Sequence, residues 1–191
     1  MTGRTHDVAA FAALTFALIQ LPLIPMSLPT AAMAFGANFI GGLFPDIDQP
    51  TSDLWDNFRG GEFVSKVVCR FLGGHRHISH SLIGVGLIGF ILDKSLYAVS
   101  SIILIDMRIV WWSFMIGVVS HLLMDMPTKE GIPLFWPLKL KIGIPPFRFL
   151  RIRSGHFVEN FIIFPGFCLL ILYLLFTNQV KVLDFLHNYI R

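Results

Sequence analysis

Residues 8–26, 31–44, 81–105, 109–126 and 161–177 form five apolar stretches in a chain of 191 residues. A helix crosses the hydrocarbon layer of a bilayer with about 20 mostly apolar residues. Inside that layer it must satisfy its own backbone polar groups, which favours helices over open strands. The first, fourth and fifth stretches have or approach that length. The second is short and glycine-rich (Gly36, Gly41, Gly42), as suits a helix packed closely on others. The third is interrupted by Asp93-Lys94 and reads either as one long tilted helix or as a shorter helix with a re-entrant piece; the single span is preferred. Composition agrees: 54% of residues are apolar and 14% charged, against about 45–50% and about 25% in soluble domains. Disorder, which needs low hydrophobicity and high charge, is excluded. The expectation is an all-α polytopic membrane helix bundle of about five spans, with residues 1–191 as a single integral membrane domain.

Arg4 before an apolar run gives the first stretch the look of a signal peptide. No A-x-A cleavage site closes it, and Pro22, Pro25 and Pro29 instead suggest a turn between two helices, so it reads as a retained helix. Cys69 and Cys168 lie far apart in apolar surroundings, which offers neither a disulfide framework nor a thiolate metal knuckle. The net charge of +3 is too small to argue for nucleic acid.

The segments between spans have their own patterns. In residues 62–72, Phe63, Val64, Val67, Val68, Phe71 and Leu72 recur at helical spacing opposite Lys66 and Arg70, which predicts an amphipathic helix lying in the interface; a core helix of a soluble domain is the alternative. Residues 138–153 alternate instead, with Pro145-Pro146 between the halves, and suggest a short β-hairpin with a cationic and a greasy face. Val182, Leu183, Leu186, Tyr189 and Ile190 fit a second amphipathic helix. With five spans, one face carries Arg4, Arg59, Lys66, Arg70, Arg76, Lys129, Lys139, Lys141, Arg148, Arg151 and Arg153; the other has Lys94, Arg108, Lys181 and Arg191. Cytoplasmic loops carry the excess of lysine and arginine, so the basic face is expected in the cytoplasm.

The residues able to do chemistry gather on that basic face. His6 begins the first helix, Asp46 and Asp48 follow the second, and His75, His77 and His80 precede the third. His121 and Asp125 end the fourth, and His156 and Glu159 open the fifth; only His187 falls on the other side. Mixed imidazole and carboxylate sets without thiolate suit zinc, manganese or iron. His121 and Asp125, four apart, share one helix face. Each piece has a plainer reading: a hydrogen-bonded helical pair, a Pro-Asp-x-Asp turn or cap, a solvated His-Arg-His loop. Whether His77 and His156 ligate stays open. The convergence of five segments carries the metal expectation, since ionisable groups near a bilayer are costly and usually functional.

These residues give the chain its resemblance to a known group. Thr5-His6, Phe44-Pro45-Asp46-Ile47-Asp48, His75-Arg76-His77-Ile78-Ser79-His80-Ser81-Leu82, Ser120-His121-Leu122-Leu123-Met124-Asp125, Thr128, Gly131-Ile132-Pro133-Leu134-Phe135-Trp136-Pro137 and Glu159 follow one another as in the LexA-regulated, inner-membrane metal-dependent hydrolases. His77 stands where that family has glycine, and Ser79 where it has threonine. The resemblance implies a bacterial inner-membrane hydrolase. A likeness to the helical zinc phospholipase C and nuclease class is analogy only.

The leading expectation is therefore a membrane enzyme that cleaves a phosphoester or lipid-linked substrate at the cytoplasmic leaflet with one or two divalent ions, zinc first, manganese or iron otherwise. His6, Asp46, Asp48, His80, His121 and Asp125 would be ligands, and His75 a ligand or acid/base. Glu159 would be a ligand or general base, and Arg76 would neutralise substrate phosphate. Membrane lipids and an amphiphilic phosphoester are the expected partners. The competing expectations are a metal transporter, whose site would lie near the bilayer midplane, and a non-catalytic protein with a structural metal.

Overall fold

The computed structural model describes residues 1–21, 25–49, 55, 65, 78–138 and 140–189. Among them the fold is all-α: α1 Gly3–Gln20, α2 Leu28–Leu43, α3 Leu82–Val99, α4 Met107–Asp125, α5 Glu159–Thr177 and α6 Gln179–Asp184. α5 opens with a π-helical turn, Glu159–Ile163, and a second such turn, Phe185–Tyr189, continues α6. α3 is unbroken through Asp93-Lys94 and ends at Val99, so the single-helix reading holds in a shorter form.

Helix starts follow local chemistry. Ser27 Oγ accepts the Thr30 N–H at 3.3 Å with Pro29 in the first turn of α2, so Pro29 opens a helix rather than making the turn. Ser81 Oγ accepts the Gly84 N–H at 3.0 Å to open α3, and Asp106 Oδ1 accepts the Arg108 N–H at 2.9 Å to open α4.

α3, α4 and α5 are long and apolar enough to cross a membrane. α3 and α5 bury few of their side chains, leaving Leu87, Ile91, Leu169 and Leu172 exposed as lipid-facing positions would be. α1 and α2, at 18 and 16 residues, are about 27 and 24 Å long; they bury Thr5, His6 and Thr15, and Thr30 and Asn38. α4 is the central helix, packed on by α1, α2 and α3. Its approach to α2 is the closest in the bundle: a Cβ placed on Gly117 would lie 2.2 Å from Asn38 O, and one on Gly41 would lie 2.1 Å from Phe114 O. No side chain fits in either place, which lets the two backbones touch.

The helices alternate in direction, so the ends of α2 and α4 meet the starts of α1, α3 and α5. At the far end, Lys181 Nζ donates to Ile19 O at 3.2 Å and Asp106 N to Thr30 Oγ1 at 3.1 Å. There Phe185, in the turn after α6, is buried, while Leu183 and Leu186 of the expected apolar face are exposed.

The expected hairpin over 138–153 does not form, and no strand occurs among the described residues. Ile142 pairs instead with Ile132, and Ile152 with Thr128, in isolated bridges. The segment folds back on residues 126–134, with Ile144 N donating to Met126 O at 3.0 Å. Arg151 explains the preference: Nε donates to Pro145 O at 2.8 Å, and Nη2 to Gly143 O at 3.1 Å and Pro146 O at 3.0 Å. This guanidinium staples the loop and is no longer part of an outward cationic face. Gly131 turns at φ 61°, where an L side chain is strained. The turn seats Ile132, fully buried, in a core with Phe114, Val118 and Leu122. The interfacial helix expected over 62–72 lies outside the described residues apart from Ser65, which is helical and buried.

Candidate metal centre

Four segments deliver imidazole and carboxylate groups to one end of the bundle: the start of α1, the 3-10 turn Phe44–Asp48 after α2, residues 78–81 before α3, and the end of α4. His6, His80, His121 and Asp48 have no solvent exposure, and Asp125 is 1% exposed. Asp46 keeps 17% of its side chain exposed and forms the accessible edge.

The spacing is that of ligand atoms gathered about a common point. Asp46 Oδ1 lies 3.6 Å from His80 Nε2 and 3.6 Å from His121 Nε2. Asp125 Oδ2 lies 3.7 Å from His80 Nε2 and 3.9 Å from His121 Nε2. On its other side, Asp125 Oδ1 lies 3.5 Å from His6 Nε2. Among the described residues two metal-capable triads result, His80 with His121 and Asp125, and His6 with Asp46 and His121. Zinc–ligand bonds of about 2.0–2.2 Å put two ligands of one ion about 3.0–3.6 Å apart, depending on geometry. The observed separations are at or slightly above that range.

The tautomers are also set. His121 Nδ1–H donates to Gly42 O at 2.6 Å, so its Nε2 carries the lone pair. That nitrogen is buried and has no hydrogen-bond partner among the described residues. Ser79 Oγ donates to Asp48 Oδ2 and lies 2.9 Å from His80 Nδ1, from which it accepts. The relay His80–Ser79–Asp48 therefore fixes the Nε2 lone pair of His80 toward Asp46 and Asp125. This is the carbonyl-and-carboxylate support that metal-ligating histidines carry. Burial keeps the His80 imidazole below its ordinary pKa and hence neutral, the ligating form.

Asp46 and Asp125 bring carboxylates into a largely buried place, where negative charge is costly unless a cation compensates it. The N-terminal ammonium of Met1 lies 2.5 Å from Asp125 Oδ1 and takes part of that role on the His6 side. On the other side, His80 Nε2 and His121 Nε2 face Asp46 Oδ1 and Asp125 Oδ2. Both the donor set and the orphaned His121 nitrogen fit a divalent ion, of the zinc, manganese or iron kind.

Among the described residues, Asp48 and Glu159 have other contacts and fall in neither triad. Asp48 supports His80 through Ser79 and belongs to neither triad. Glu159, also in neither triad, is fully buried: Oε1 accepts the Thr2 N–H at 2.6 Å and the Thr2 hydroxyl at 2.7 Å, and Oε2 accepts the Gly155 N–H at 2.7 Å. A carboxylate at the start of α1 satisfies its free N–H groups and suits its dipole, so Glu159 ties α1 to α5 four residues before His6. His156 is exposed and donates Nδ1–H to Ser154 O at 3.0 Å, away from the cluster. His187 is exposed near the opposite end of the bundle. His75, Arg76 and His77 lie outside the described residues. The residues missed in sequence are Ser79, Gly42 and Thr2. Ser79 had a local signal, a hydroxyl directly before a candidate ligand histidine; Gly42 acts through its carbonyl and Thr2 through its N–H and hydroxyl on a distant partner, and neither had one.

Residues 1–182 match the family described as YdjM inner membrane protein. Over 168 residues the chain is 31% identical to the uncharacterized protein YvsG of Bacillus subtilis (strain 168), covering 85% of this chain and 88% of that protein. Over 127 residues it is 30% identical to the inner membrane protein YdjM of Escherichia coli (strain K12), covering 63% of this chain and 56% of that protein's length. No solved structure matches the chain. With helices fit to span a bilayer and a match running from residue 1 to residue 182, the chain belongs to the YdjM inner membrane protein family.

Proposed function

We propose that this protein is a membrane-bound, metal-dependent hydrolase acting on the phosphoester of a lipid-linked substrate at the cytoplasmic leaflet. The observation that carries the reading is the pair of imidazole nitrogens, His80 Nε2 and His121 Nε2, held against Asp46 and Asp125 at one end of the bundle. A divalent ion held by His80, His121, Asp125 and Asp46, with His6 beside them, supplies Lewis acidity toward a phosphoryl oxygen and acidifies water. In the reaction a water oxygen bonds to phosphorus, the bond to the alcohol oxygen breaks, and a proton passes to the leaving oxygen. Asp46, the exposed edge of the cluster, is where substrate reaches it. Asp48 and Ser79 hold the His80 proton at Nδ1 throughout. His75 is proposed as the acid/base and Arg76 as the group facing substrate phosphate, both from their place in the His75–Leu82 motif. The basic end of the bundle is assigned to the cytoplasm on the excess of lysine and arginine there.

A transporter is disfavoured because the ligands lie at one end of the helices, whereas transport sites lie near the bilayer midplane on broken helices. A purely structural metal predicts the same metal content and no turnover. Purified protein is expected to carry one to two zinc, manganese or iron ions and to release phosphate or a phosphorylated headgroup from a panel of lipid phosphoesters. The double variant His121→Ala with Asp125→Ala should lose most of both. Metal bound as before in that variant would reject the site, and full metal with no turnover across the panel would leave the structural role.

A further inference from the structure

Between α2 and α3 runs an apolar groove of about 570 Å³. Ile40 and Phe44 line it from α2 and its end, and Leu87, Ile88 and Ile91 from α3. Its walls reach the candidate centre: Ile47 belongs to the turn that bears Asp46 and Asp48, and Ser79 is the hydroxyl bonded to Asp48 and His80. At the other extreme it ends at Ser95, whose hydroxyl is turned back onto Ile91 O at 2.8 Å. From Gly84 to Ser95 the α3 wall is about 17 Å long at a helical rise of 1.5 Å per residue. One leaflet of a bilayer, half of the roughly 30 Å hydrocarbon layer, is about 15 Å deep. The groove therefore starts at the candidate ligand cluster and runs one leaflet deep, with no charged group among the described residues that line it.

We propose that this groove holds one acyl chain of the substrate lipid, so that the headgroup phosphate comes to rest at Asp46 and the His80–His121 pair. The proposal rests on the hydrolase reading and sharpens it to a long-chain substrate drawn from the adjoining leaflet. Ordinary lipid-facing surface, such as the exposed face of α5 at Leu169 and Leu172, has the same apolarity but no continuity with a polar cluster. That face is the internal comparison for the test.

Two measurements on the full-length protein separate the groove from the activity. In the first, protein in phosphatidylethanolamine vesicles receives a phosphatidic acid probe with a photoreactive diazirine near the end of one acyl chain, and crosslinked residues are mapped by mass spectrometry. Labelling should concentrate on Leu87, Ile88 and Ile91, saturate with probe, and be displaced by excess unlabelled phosphatidic acid. Labelling of Leu169 and Leu172 should rise linearly. Equal, unsaturable labelling of both faces would overturn the groove proposal whatever the enzymology shows. The second measurement fills the groove with Ile40→Trp plus Leu87→Trp, both at exposed positions that tolerate bulk, beside Leu172→Trp as the control. Saturable labelling should disappear in the double variant alone, with metal content unchanged. Where wild-type protein turns over a lipid phosphoester, the double variant should lose about tenfold or more in kcat/KM on the long-chain lipid. It should keep its rate on a short-chain, water-soluble analogue. Equal losses on both substrates would reject acyl recognition while leaving the hydrolase in place, and saturable labelling with no turnover on any substrate would reject the hydrolase while keeping the groove.

Discussion

Gly117→Ala tests how the helix crossing builds the centre. A Cβ there would lie 2.2 Å from Asn38 O, 2.7 Å from Gly42 N and 2.9 Å from Gly41 C, all backbone atoms that cannot rotate away. Restoring an ordinary contact of about 3.2 Å to the Asn38 oxygen requires α2 and α4 to part by about 1 Å. Gly42 O lies on the same stretch of α2 and accepts His121 Nδ1–H at 2.6 Å; after such a shift the pair is about 3.5 Å apart, beyond a useful hydrogen bond. Overpacking of this kind costs about 1–3 kcal/mol, and the lost hydrogen bond about 1 kcal/mol more. The gain in helix propensity from glycine to alanine offsets about 1 kcal/mol. The net is a destabilisation of about 1–3 kcal/mol, a fall in Tm of roughly 3–10 °C for a chain of this size. Loss of a support to a ligating imidazole should also weaken metal binding by about 10- to 100-fold. The assay is thermal unfolding in detergent together with zinc affinity by chelator competition. Gly36→Ala and Gly166→Ala, whose added Cβ atoms meet nothing within 4 Å, are the controls and should change neither quantity for the worse. A Gly117→Ala protein with wild-type Tm and zinc affinity would refute the claim that this close approach positions His121.

Three further outcomes follow from the same geometry. Glu159→Gln replaces one acceptor oxygen with an amide nitrogen facing the Thr2 or Gly155 N–H; it should lower Tm and weaken zinc binding by less than His121→Ala does, and equal losses would instead make Glu159 a ligand. Cysteines placed at Lys141 and Lys181 should be labelled from opposite sides of the membrane, the first from the cytoplasm, and labelling of both from one side would break the alternating-helix arrangement. Lys141 and Arg148 are exposed beside the exposed Leu140, Phe147 and Phe149, so replacing both with Gln should raise KM for an anionic lipid with kcat unchanged; the same change at Arg151 should instead lower Tm, because that side chain closes the loop.

What the sequence determined by itself was whatever is encoded within a turn or two of chain. Apolar runs gave the helices, and Ser27, Ser81 and Asp106 gave their starts, because a cap acts on N–H groups two or three residues away. Asp46, His80, His121 and Asp125 were legible as ligand types because their short motifs put each at a helix end, and the alternation of helices brings those ends to one face. The tertiary structure decided how the groups divide the work. Asp48 supports His80 because Ser79 lies between them, and Glu159 binds Thr2 across 157 residues of sequence, a pairing no local pattern encodes. The alternating residues 138–153 had the period of a strand, but period sets only which side chains share a face. The pairing partner was settled by Arg151 reaching three loop carbonyls and by Ile132 filling a core with Phe114, Val118 and Leu122. Hydrogen-bond partners distant in sequence are chosen by packing, and packing at this end of the bundle is fixed by the backbone contact that Gly41 and Gly117 permit.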